Sequence, residues 1–262
     1  MDNPTIVIVS DYGTGDPAFT EVMLQLKKFL PNSYLIPQSV PPFSTINTGY
    51  WIYQFAMNND LPNTFIYSNT APRKEEKEAQ INNKGEKLMY ARLKNGFEIV
   101  AVNAGYVFSF IKPEIDEFCY ATIPNEGSQF RSRDIYPEAV ARVIKKDSTI
   151  LGEKGDISLI PDIPSGKIAS IDGYGNIKLT TRRSEVSYTA GQRLVIEIGN
   201  VKHQATYTDG SFNIEEGQVA FSPGSTGHND KFMEIFYRGQ SACDLFMHPK
   251  IESPVNISLG TS

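Results

Sequence analysis

The tightest constraint on what this chain can fold into is residues 6–17, IVIVSDYGTGDP. Ile6, Val7, Ile8 and Val9 form an unbroken β-branched apolar run, the composition of a strand covered on both faces. The run stops at a turn holding two glycines and two carboxylates, Asp11 and Asp16. Beyond it Phe19, Val22, Met23, Leu26 and Leu30 recur at helical spacing. The unit is strand, polar loop, helix, and in open α/β sheets ligands sit at such loops, at the carboxyl ends of strands. This loop is no phosphate cradle. It has neither G-x-G-x-x-G nor Gly-Lys-Ser/Thr, and two acids repel a phosphate. Ionised carboxylates only accept hydrogen bonds, so the pair suits hydroxyls or a cationic head group. The alternative is local: Asp16 caps the helix and Asp11 closes the turn.

The alternation continues downstream. Residues 33–37 (SYLIP) and 64–68 (TFIYS) read as strands and residues 47–58 (NTGYWIYQFAMN) as a helix, which predicts a mostly parallel sheet. Residues 71–87 are charged and poor in large apolar side chains, the pattern of a solvated loop, an exposed helical turn or a disordered segment. Asn95-Gly96 between strands at 87–93 and 97–102 is a hairpin signal. Arg131 and Arg133 beside Asp134, just ahead of a helix over 137–146, could bind an acid or pair internally, and Arg133 is expected to pair with Asp134 or another acid. The proline-rich residues 160–166 (IPDIPSG) mark a domain boundary. Past them, short strands at 167–172, 176–180, 193–198, 201–208, 218–222 and 232–237 alternate with turns such as Gly199-Asn200 and Asp209-Gly210. The expected organisation is an α/β domain with a mostly parallel sheet over 1–163, followed by a small antiparallel β-barrel domain over 164–262.

Charge narrows the partners. A formal net charge of −5 argues against a general nucleic-acid or membrane-surface binder. No apolar run approaches a membrane span, and the opening MDNPTIVIVSD has no basic leader region, so a cytoplasmic protein is expected. Cys119 and Cys243 are far apart and lack metal-ligand spacing, so no metal is expected. The histidines are His203, His228 and His248, which leaves the first domain without the commonest general base.

Several fragments, in order along the chain, carry a family resemblance. Asp11-Tyr12-Gly13 with Asp16 resembles D-F-G-x-x-D, and Pro41-Pro42-Phe43 followed by Thr48-Gly49 resembles a P-P-x helix entry. Pro62-Asn63-Thr64 resembles F-P-x-G-T, and Asn103-Ala104-Gly105 resembles P-D-N-G. Residues 130–136 (FRSRDIY) resemble F-H-G-R-D-x-F, and residues 166–176 (GKIASIDGYGN) resemble G-x-I-x-x-I-D-x-F-G-N. Ser225-Thr226-Gly227 and Ser241-Ala242 resemble late S-x-G and G-S-A elements. Together they resemble the S-adenosylmethionine (SAM) hydroxide adenosyltransferases, a group that also contains the SAM halogenases, fluorinase and chlorinase. The resemblance spans nearly the whole chain.

It implies an α/β domain followed by a small β-barrel, and a homotrimer binding SAM between the first domain of one subunit and the second domain of its neighbour. SAM would be substrate or ligand, with no separate cofactor. By the same resemblance Asp11 would accept the ribose hydroxyls, and Asp16 and Asp172 would hold the methionine ammonium. Phe43 and Tyr174 would pack on the ligand. Asn176 would bond the adenine edge, with Ser225 and Ala242 close by. Read locally, residues 172–176 are also a tight turn, and Phe43 and Tyr174 are also ordinary core aromatics.

The chain departs from the hydrolytic pattern where water is activated by an Asp, an Arg and a His. In place of V-D-P-G-V-G it has Asn69-Thr70-Ala71-Pro72-Arg73, which puts Ala71 or Asn69 at the Asp position, and neither ionises. Arg73 is the nearby candidate for the Arg, at a different spacing, and Arg131 replaces the His of F-H-G-R-D. Attack on C5′ needs a positioned nucleophile and somewhere for its proton to go. Asn69 can position but not deprotonate, and Arg131 is a permanent cation. Arg131 with Ser132 suits an anion, and the halogenases have a Ser at the place of Ser132, though their other halide contacts are not evident here. Three functions are therefore carried forward. The first is SAM hydrolysis to adenosine and L-methionine, or a related C5′ substitution, with Asn69, Arg73, Arg131 and Ser132 as catalytic candidates. The second is a catalytically silent trimer binding SAM or adenosine. The third is an interaction protein without ligand.

Overall fold

The computed structural model describes residues 3–70, 87–124, 128–210 and 213–260. Residues 71–86, including Ala71, Pro72 and Arg73, lie outside the described residues. The chain divides into two compact units, Met1–Asp162 and Ile163–Ser262.

In the first unit the elements run β1 (Thr5–Ser10), α1 (Pro17–Phe29), β2 (Tyr34–Ser39), α2 (Thr45–Met57), β3 (Thr64–Asn69), β4 (Leu88–Leu93), β5 (Glu98–Val102), β6 (Ile115–Ala121), α3 (Arg131–Asp134), α4 (Tyr136–Ile144) and β7 (Leu151–Lys154). They form one seven-stranded sheet in the order β2-β1-β3-β5-β4-β6-β7. β1 is parallel to β2 and β3, and β3 is parallel to β5. The remaining pairings, β5 with β4, β4 with β6 and β6 with β7, are antiparallel.

The expected mostly parallel sheet is therefore corrected to a curled mixed one. The physical reason is the turn at Asn95-Gly96. It folds β4 back on β5, and β5 rather than β4 takes the place beside β3. β6 then runs antiparallel to β4, and β7 antiparallel to β6, so directions alternate from β5 outward. β6 and β7 extend the sheet on that side, and their short or acidic sequences (IDEFCYA and LGEK) carry no clear strand pattern.

β1 buries Ile6, Ile8 and Val9 completely, while Thr5 and Val7 are only partly covered. α1 starts on Pro17 after Asp16, whose side chain accepts the Ala18 N–H at 2.8 Å, and buries Phe19, Val22 and Leu26. That face packs against α3 and α4. α2 packs against the 3-10 turn Ser109–Glu114. Gly49 lets the two approach: a Cβ there would lie 2.3 Å from the Tyr106 carbonyl oxygen.

The second unit runs β8 (Ile168–Ile171), β9 (Ile177–Arg182), β10 (Arg193–Ile198), β11 (Val201–Tyr207), β12 (Val219–Pro223), β13 (Phe232–Tyr237), α5 (Ala242–Leu245) and β14 (Val255–Leu259). Its sheet order is β14-β10-β11-β12-β13-β9-β8. Leu194, Ile196, Tyr207, Phe221, Met233 and Ile235 fill the core on its inner face. The expected small antiparallel barrel is corrected to a mixed sheet curled into a half-barrel. β11 and β12 run parallel, paired only at Thr206–Ala220 and Tyr207–Phe221, because the chain between them crosses over instead of forming a hairpin. β14, which pairs with β10, supplies one end of the sheet and β8 the other. A bridge between Lys167 and Pro254, with backbone bonds from Ile168 to Ser253, Glu252 to Ile168 and Val255 to Gly166, links the segments beside these two ends. Among the described residues no helix is long and apolar enough to cross a membrane.

Candidate functional site

The first unit gathers polar groups where β1 and β3 end. β2 lies on one side of β1 and β3 on the other, so the strand order reverses here, the position where open sheets form a ligand crevice. The register pairs Ser10 with Asn69, and the Ser10 hydroxyl donates to the Asn69 carbonyl at 2.6 Å. One residue on, Asp11 Oδ2 accepts the Phe43 N–H at 3.0 Å. Phe43 holds φ +64°, a left-handed conformation that bulky residues avoid, and the residue is 49% exposed. Asp11 and Phe43 are thus brought together. Asp16, at the far end of the same loop, is exposed and caps α1.

Tyr12 is the hub of this edge. Its hydroxyl donates to Ser132 Oγ at 2.5 Å and accepts from Asn69 Nδ2 at 3.1 Å. The Ser39 hydroxyl donates to its carbonyl at 2.6 Å, and its ring meets Phe19 and Phe130 edge-on. Burial pushes the Tyr12 phenol above the ordinary tyrosine range against the pull of its hydrogen bonds to Ser132, Ser10 and Asn69. Tyr12 is therefore a neutral donor at physiological pH. Tyr67, fully buried and pushed up further by the same cause, donates to the Ser132 carbonyl at 2.9 Å. Asn69 and Ser132 are brought together through a phenol that the sequence marks only as the middle of Asp-Tyr-Gly. Its partner Ser132 lies far along the chain, so spacing gives no sign of the network.

Arg131 does not join them. Its Nη2 donates to the Pro124 carbonyl at 3.1 Å and its guanidinium lies over the Tyr136 ring. It lines a separate cavity of about 400 Å³ with Lys87, Tyr120 and Glu153. Arg131 and Ser132 are neighbours in sequence but do not form one anion cradle. Arg133 pairs with Asp134 at 2.6 Å and with Glu21 at 3.0 Å. Arg73 lies outside the described residues.

In the second unit Asp172, Tyr174, Asn176 and Ser225 line one cavity of about 660 Å³, together with Lys178, Glu234 and aromatic side chains. A volume of this order holds a small organic ligand. The turn that shapes it is built on Asp172. Its Oδ1 accepts the N–H groups of Tyr174 and Asn176, each at 3.0 Å, and its Oδ2 accepts Asn176 Nδ2 at 3.0 Å. Lys178 Nζ lies 3.2 Å from Asp172 Oδ2 and 2.9 Å from Glu234 Oε2. Burial raises the Asp172 carboxyl, but the bonds from Asn176 and the nearby Lys178 outweigh it and hold the group below the usual carboxylate range. Lys178 is thus held between the two carboxylates of this wall. Lys178 and Glu234, the buried pair, carry no sequence motif.

Tyr174 stands at the tip of the turn, 84% exposed. Behind it Gly175 adopts φ +83°, and a Cβ there would lie 2.1 Å from the Ser241 hydroxyl. Ala242 is fully buried in the core of the second unit and does not line the cavity.

No protein-family model and no curated protein matches the chain. The fold is similar to that of an uncharacterized conserved protein from Thermotoga maritima, with a TM-score of 0.74 and 16% identity over 97% of this chain and 100% of that one. It is also similar to a conserved hypothetical protein from Thermus thermophilus, with a TM-score of 0.68 and 17% identity over 98% of this chain and 100% of that one. At these identities the likeness shows the fold alone.

Proposed function

We propose that the protein binds SAM or a closely related nucleoside and has lost efficient water attack at C5′. The observation that carries the reading is the carboxyl edge of β1. There Asp11 takes the N–H of Phe43, and Phe43 stands half exposed on a strained backbone. A carboxylate beside a flat apolar face suits a sugar diol next to a purine. Strain at a bulky residue persists where the surroundings over-determine it, and such positions cluster at ligand sites. The Asp172 and Glu234 carboxylates in the second unit's cavity suit a polar guest there.

The silence of the chemistry rests on the groups around Tyr12. Asn69, Ser132 and the neutral Tyr12 exchange hydrogen bonds among themselves. The first unit contains no histidine, the commonest general base. By family resemblance the working form is a homotrimer, which light scattering tests.

Calorimetric titration of the purified protein with SAM and with adenosine tests the proposal, alongside assays for adenosine and methionine release with and without chloride. Saturable heat without product is the expected result. Rapid product release overturns the loss of catalysis, and no heat from either ligand overturns the binding reading. Asp11→Ala is expected to weaken binding at least about tenfold, the loss of one charge-assisted hydrogen bond to a sugar. Its thermal unfolding is expected to stay close to that of the parent.

A further inference from the structure

We propose that Cys243, Asp244 and His248 form a site for a zinc-type divalent transition metal ion. Cys243 Sγ lies 3.6 Å from His248 Nδ1. One ligand atom from each of Cys243, Asp244 and His248 falls within 4.8 Å of the other two. A thiolate and an imidazole nitrogen on one tetrahedral zinc are separated by about 3.5 Å, from bond lengths of about 2.3 and 2.05 Å. The Cys243–His248 separation matches that of two ligands on one ion, while Asp244 Oδ1 lies 3.6 Å from the other ring nitrogen, Nε2, and has to turn toward the thiol side to join them.

The backbone brings them there. α5 is one short turn, with Ser241 Oγ accepting the Asp244 N–H at 3.0 Å. The chain then passes through Met247 at φ +57° and His248 at φ +54°, two consecutive left-handed residues, neither a glycine. The His248 N–H donates to the Cys243 carbonyl at 2.8 Å and folds the imidazole back beside the thiol. A helix end of this kind ordinarily uses glycine.

The donor set decides the metal class. Sulfur, imidazole nitrogen and a carboxylate oxygen suit zinc or its neighbours in the first transition row, whereas magnesium and calcium take oxygen alone. The His248 and Asp244 side chains are 77% and 68% exposed, so water can complete the coordination shell. None of the three lines the cavity around Asp172, although the Cys243 N–H bonds the Gly175 carbonyl in the turn behind it.

Titration of the full-length protein with Co²⁺, followed by Zn²⁺ competition, tests the site. One equivalent of Co²⁺ is expected to produce a thiolate-to-metal charge-transfer band that Zn²⁺ bleaches. Cys243→Ser is expected to abolish the band, and His248→Gln to weaken Co²⁺ binding at least about tenfold by removing one of three protein ligands. His248 is exposed, so its replacement leaves the core intact. No charge-transfer band in the parent protein, or a band of equal strength in Cys243→Ser, overturns the proposal.

Discussion

Phe43 holds a backbone angle that large L-residues avoid, at a cost of roughly 1–2 kcal/mol relative to the right-handed regions. The residue is half exposed, so little packing offsets that cost. Phe43→Gly is therefore expected to leave urea stability unchanged or to raise it by up to about 1 kcal/mol, while SAM affinity falls. A residue kept for its packing behaves in the opposite way: its removal would lower stability by about 2–3 kcal/mol and leave affinity alone. Asp16 makes a useful contrast. Its cap was legible in the sequence, because Asp followed by Pro before an apolar periodic run is a helix-start signature, and the bond to the Ala18 N–H realises it. Tyr12 was not legible as a hub, because hydrogen-bond partners from three separate elements leave no periodic trace.

At the level of elements, α2 shows how a single missing side chain sets the distance between two segments. The Tyr106 carbonyl occupies the space where a Gly49 Cβ would stand, with Phe110 also within 2.9 Å. The obstacle is backbone as well as ring, so it cannot swing aside. Gly49→Ala is expected to lose about 1–3 kcal/mol in chemical denaturation, despite the better helix propensity of alanine. A gain in stability would mean that the 3-10 turn yields. The hairpin of β4 and β5 carries the other lesson at this scale. Asn95-Gly96 announced the turn, and the structure forms it. Which arm of the hairpin lies beside β3 is decided by long-range packing, and that choice converts a parallel sheet into a mixed one. β14 and the β11–β12 crossover escaped for the same reason: non-local pairing has no local signature.

Across the whole molecule, several carboxyls are held below their ordinary range. Asp134 sits at about 2, chiefly through its bonds to Arg133 and then Ser128. Asp147 sits at about 2 through Thr149 and Arg142. Asp156, held by Ser158, and Asp172 are shifted the same way. A depressed folded-state value means that each ionised group favours the native state above the unfolded-chain value, about 4. The contribution is lost as pH falls through the folded value. The urea midpoint is expected to stay nearly level from pH 7 to pH 5 and to decline below about pH 4. A midpoint that rises on acidification would contradict this assignment.

The tip that carries Tyr174 cannot swing freely. Behind it Ser241 stands against the Cα of Gly175, and the Gly175 carbonyl accepts the Cys243 N–H at 2.8 Å. The backbone therefore presents Tyr174 at one place beside the cavity, and what an incoming molecule can rearrange is the rotamer of the exposed ring.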